Sequence, residues 1–132
     1  MLPDPYREGL RLFNRAEFFA AHEVLEDVWR GAPPAERRFL QGLIQVAVAL
    51  HHHSTGNLAG CRSVLGRACR NLAAYPAEHG GLDLPALLAT LTRWRQALEE
   101  NRTPPPSPVL VVRKGFSWQV AGDGEPATSL EP

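Results

Sequence analysis

The chain of 132 residues has no long apolar run, no net charge and only two cysteines. Each shortage removes a class of protein. A membrane-spanning helix needs about 20 mostly apolar residues, and no stretch approaches that length. The opening "MLPDPYREGLRLFN" lacks the basic start and apolar run of a secretory signal, so the chain reads as soluble and cytoplasmic. Lys+Arg and Asp+Glu number 14 each, leaving no net field to draw nucleic acid or an anionic membrane from a distance. Neither is expected as a partner. Cys61 and Cys69 stand eight positions apart in a helical pattern. That spacing is about 12 Å at 1.5 Å per residue, beyond disulfide reach, and fits reduced packing thiols. A Gly-rich phosphate loop, a serine nucleophile elbow and a paired-Cys zinc pattern are all missing, and with them the commonest enzyme classes.

What the chain does have is helical periodicity, in a length that suits one core with some tail. Tyr6, Leu10 and Phe13 mark a short helix after a proline-containing start. Asn14, followed by Glu17, reads as the N-cap and capping-box partner of a second helix running to about Arg30. Gly31 and Pro33-Pro34 stop it. A third helix restarts at Pro34 and is apolar on nearly every side from Phe39 to Leu50, so it belongs at the centre. Gly56-Asn57 breaks that run. Leu58, Cys61, Leu65, Ala68, Leu72 and Tyr75 then trace an amphipathic fourth helix. "YPAEHGGLD" reads as a loop. Asp83 caps a fifth helix with Pro85 in its first turn, and Leu87, Leu88, Leu91, Trp94 and Leu98 form its buried stripe. Trp29 and Trp94 are assigned to the core. The fold class is therefore all-α: a bundle of about five helices around a central apolar helix, over residues 1–101. Residues 102–132 form a proline-rich tail in which "TPPPSP" is extended, and "VLVV" and "FSWQV" read as two short strands around "RKG".

The polar residues on these helices frame the functional question. "AAHEVLEDVWR" puts His22 on the margin of an apolar stripe with Glu26 one turn on, at i,i+4, whereas Glu23 points about 100 degrees away. On the central helix Gln41, Gln45 and His52 share one side. A buried amide or imidazole left without a partner costs about 1 to 3 kcal/mol, so this stripe must meet other polar groups, a wet cleft or solvent. Imidazole and carboxylate from facing helices is how bundle sites are built. One reading is a site for zinc, manganese or iron, with His22, Glu26 and His52 as ligands, Glu23 or Glu26 as general base, and Gln41 and Gln45 in support. The spacing differs from the zinc-protease helix, which needs His at both i and i+4, and from the Glu-x-x-His of ferritin-like sites. The other reading is structural: His22 and Glu26 satisfy each other, and the glutamines face solvent.

"FFAAHEVLEDVWR" and "LQGLIQVAVALHHHSTGN", followed by "YPAEHGGLDLPALL", resemble the domain of unknown function 309 family, small helical proteins of bacteria and archaea. The similarity covers about residues 7 to 98. The resemblance implies a compact helical bundle, with the family's motif positions at His22, Glu23, Glu26, Trp29, Gln41, Gln45, His52, Gly56 and Asn57. It also implies metal-dependent hydrolase activity. Against it stands a non-catalytic interaction module, a homodimer or small homo-oligomer whose polar seam is structural and whose tail adds to a partner.

Overall fold

A computed structural model describes residues 4–117. Five helices follow one another: α1 Pro5–Asn14, α2 Phe18–Arg30, α3 Pro34–Ser54, α4 Leu58–Leu72 and α5 Leu84–Glu99, with a two-stranded ribbon of β1 Glu78–His79 and β2 Leu82–Asp83 before α5. The all-α expectation holds. Each helix packs on the next, α1 on α2, α2 on α3, α3 on α4 and α4 on α5. α3 is the axis: Phe39, Leu40, Leu43, Ile44, Val46, Ala47, Ala49 and Leu50 are all buried, as its nearly continuous apolar run requires. Its closest neighbour is α4. A Cβ on Gly42 would fall 2.7 Å from Leu72 Cγ, so the two backbones approach only because this position has no side chain.

Asp83 caps α5 as expected, and two further caps stand at Asp4 and Asn57. Asp4 accepts a hydrogen bond from the Tyr6 amide at 3.0 Å, Asn57 from Gly60 at 2.9 Å and Asp83 from Ala86 at 3.1 Å, each capping a helix start. Asn14 does not cap α2. It ends α1 and turns its amide to the tail, donating to the Leu110 carbonyl at 3.0 Å and accepting from the Leu110 amide at 2.8 Å. One side chain thus copies both bonds of a strand partner. Glu17 stands at the N-cap of α2 without a side-chain capping bond, and the link before it passes through Ala16 at φ 64.

Three further expectations need correction. Leu58, read as the first residue of the α4 stripe, is 51% exposed. Tyr75 lies beyond the end of α4, where its hydroxyl donates to the Ala35 carbonyl at 2.8 Å. Trp29 is only partly buried, with the Arg37 guanidinium stacked over its ring at 5.0 Å, while Trp94 is in the core as expected.

The ribbon before α5 was hidden in a segment read as loop. His79 and Leu82 pair across Gly80 and Gly81, whose φ angles of 57° and 76° suit the tight two-residue turn and would strain any other residue. The Tyr6 hydroxyl donates to the Gly80 carbonyl at 2.6 Å, and His79 Nε2 donates to Glu36 at 2.6 Å. The tail then lies along this end of the bundle. Pro106 accepts from the Trp94 indole at 3.3 Å, Pro108 and Leu110 are buried, and the Arg113 amide donates to Gly81 at 2.7 Å. "VLVV" is extended without a strand ladder, and a turn follows at Arg113–Phe116. The proposed second strand, "FSWQV", lies outside the described residues from Trp118 onward.

Burial pushes the Tyr6 hydroxyl far above its usual range, with the Asp4 carboxylate adding to the effect. Its proton is held in the folded state and released near pH 10 in the unfolded one. This part of the stability is complete below about pH 10 and lost as pH rises further, at about 1.4 kcal/mol per pH unit. Tyr6→Phe should therefore cost about 1 to 2 kcal/mol at pH 7, by leaving Gly80 without its donor. It should also flatten the fall in stability above pH 10. Denaturant unfolding of both proteins from pH 7 to 11 checks both, and an unchanged alkaline slope would contradict the assignment.

Candidate functional site

The i,i+4 spacing on α2 brings His22 and Glu26 together, with Nε2 to Oε2 at 3.4 Å. The other ring nitrogen, Nδ1, lies 3.0 Å from the Phe19 carbonyl one turn back, so both imidazole nitrogens meet groups of the same helix. Glu26 also faces Arg30 at 3.9 Å. Glu23 is exposed and lines a shallow depression with Ala20, Val24, Glu26, Asp27 and Arg30.

The stripe on α3 is real, but it faces α4. Gln45 accepts from the Asn71 amide at 2.8 Å, and Asn71 in turn accepts from Arg38 Nε at 3.1 Å. His52 Nδ1 lies 3.3 Å from the amide nitrogen of Asn57, the cap of α4. Gln45 and His52 therefore meet the last and first turns of a helix running antiparallel to their own. Gln41 is half-buried on the same helix. Among the described residues no three His, Cys, Asp or Glu side chains converge as ligands of one ion. The donor set His22, Glu26 and His52 does not fit a ready metal site: the pair is present, and the third member is turned to α4.

Opposite His22 the structure places a residue that the sequence reading passed over. Phe19 is 54% exposed, and its ring is flanked by His22 at 5.2 Å and by His51 at 5.5 Å between centroids. His51, one position from the His52 chosen by alignment with the glutamines, is thus the α3 residue that approaches α2. Adjacent Phe18 and Phe19 carry the signal, since on a helix with a single apolar stripe two neighbours 100 degrees apart divide between core and surface. Phe18 is the buried one, packed on Phe13 at 5.2 Å.

The family model for a domain of unknown function, DUF309, matches residues 6–64, the stretch holding α1, α2, α3 and the start of α4. Over these residues the chain is similar to the DUF309 family. It is similar to the uncharacterized protein YpuF of Bacillus subtilis (strain 168), 36% identical over 103 residues, covering 75% of this chain and 59% of that protein. An uncharacterized protein of Aquifex aeolicus (strain VF5) is 33% identical over 86 residues, 64% of this chain and 26% of that protein. The chain thus spans little more than half of one of these relatives and about a quarter of the other. No described helix is long and apolar enough to cross a membrane.

Proposed function

We propose that this domain is a non-catalytic interaction module that self-associates through the α2 surface around Phe19, with a second copy of the chain as its partner. The observation that carries the reading is Phe19 itself, an exposed aromatic ring set between two imidazoles. Aromatic anchors with a polar rim are the usual centre of a protein interface. The polar residues offered as a site support it by their engagement: His22 is occupied by Phe19 and Glu26 of its own helix, while Gln45 with Asn71 and His52 with Asn57 tie α3 to α4. Relatives in which the similar stretch is 59% and 26% of the protein fit a domain used as a part of larger chains. Full-length protein should run as a dimer by light scattering, and Phe19→Ser should run as a monomer with a melting temperature within about 2 °C of the parent, since the ring is largely solvent-facing. A monomeric parent at high micromolar concentration would overturn the reading.

A second reading, metal-dependent hydrolysis, rests on one observation: His22 and Glu26 are a ready pair of ligand-type groups, 3.4 Å apart at a partly open surface. It requires His52 to leave Asn57, with Glu23 or Glu26 then available as a base. Untagged protein purified without chelator should, on this second reading, carry near-stoichiometric zinc, manganese or iron that disappears in His22→Ala. Metal-free protein after incubation with each ion would remove it.

A further inference from the structure

The neutral total charge conceals an uneven distribution. From Arg37 to Ala77 the sequence contains Arg37, Arg38, Arg62, Arg67 and Arg70 and no carboxylate, and α5 adds Arg93 and Arg95. Seven of the eleven acidic residues among the described ones lie instead between Asp4 and Glu36. Where α4 meets α5, two of these arginines converge. The point a Cβ of Gly66 would occupy lies 3.7 Å from Arg70 Nη1 and 3.6 Å from Arg95 Nη2, one guanidinium from each helix. Gly66 is itself buried beneath them. Neither guanidinium is in an ion pair among the described residues. Burial pushes the half-buried Cys69 thiol up, and the Arg95 and Arg70 guanidiniums nearby offset part of that rise.

Two like charges held over one glycine without a counter-charge repel each other, and an anion between them removes that repulsion. One carboxylate is saturated by a single guanidinium fork, whereas two forks from different directions match the several free oxygens of a tetrahedral oxyanion. We propose that the α4–α5 crossing is a phosphate-binding site, in which Arg70 and Arg95 clasp the phosphoryl group of a small phosphomonoester above Gly66. The absence of a side chain at Gly66 leaves the floor of the site open, and Cys69 stands at its edge as a reporter.

The test is a titration of the full chain with inorganic phosphate at constant ionic strength, followed by backbone amide shifts. Saturable movement centred on Gly66, with Kd on the order of 1 mM, is expected. Arg70→Gln and Arg95→Gln should each weaken it about tenfold, and Arg67→Gln, the neighbour on α4, should not. Gly66→Ala gives a variant that does not depend on a fragile fold. Its new Cβ meets the guanidiniums at ordinary contact distance and favours the helix, so the protein should melt no lower than the parent yet bind phosphate more weakly. Bound phosphate cancels the field of the arginines, so alkylation of Cys69 by iodoacetamide should slow at least about twofold. Absence of saturation by tens of millimolar phosphate, or an equal loss in Arg67→Gln, would overturn the proposal. So would tighter binding of a single-stranded oligonucleotide that depends equally on Arg62, Arg67 and Arg93, because that marks a surface tracking a nucleic-acid backbone.

Discussion

The close contact of α3 with α4 at Gly42 and Leu72 sets the geometry on which the rest of the bundle depends. Adding one methyl group at Gly42 would force it to within 2.7 Å of Leu72, an overpacking that typically costs about 1 to 3 kcal/mol. With the two helices that near, short polar side chains reach across: Gln45 meets Asn71 and His52 meets Asn57. A wider crossing would break both pairs and leave their groups to water. Apolar packing and polar pairing here are consequences of a single backbone distance.

The same logic runs to the other end of the molecule. The ribbon at His79–Leu82 is too short to be stable alone, and it is held from below by Tyr6 and Glu36 and from above by the Arg113 amide. Asn14 then ties Leu110 to α1 by two bonds. Helices distant in sequence are joined through a segment without regular structure, using side chains in place of a strand ladder.

Most of the fold was legible because its signals are local. Asp83 caps α5, Gly31 stops α2, Gly56-Asn57 separates α3 from α4, and the apolar run of α3 marks the centre. Asn14 shows the limit: its residue type suits an N-cap, but a tail residue 96 positions away competes for the same amide, and no local pattern carries that information. The candidate site divides in the same way. The i,i+4 pairing of His22 with Glu26 follows from helix geometry, and so does the shared side of Gln45 and His52. Which neighbour that side faces is set by the order of helices around α3, so the stripe meets α4 and His51 approaches Phe19 on α2. Phe19 lies about 100 degrees from Phe18 and off the buried stripe of α2, and nothing in its residue type marks what it meets there.

The central claim is that Gln45 and His52 on α3 are ties between helices. A double-mutant cycle on Gln45→Ala and Asn71→Ala, read by denaturant unfolding, tests it most directly. A tie at 2.8 Å between part-buried groups should give a coupling of about 1 kcal/mol, with both single variants destabilised. Additive effects within about 0.3 kcal/mol would contradict it, and would mean that Gln45 is kept for something other than holding α4.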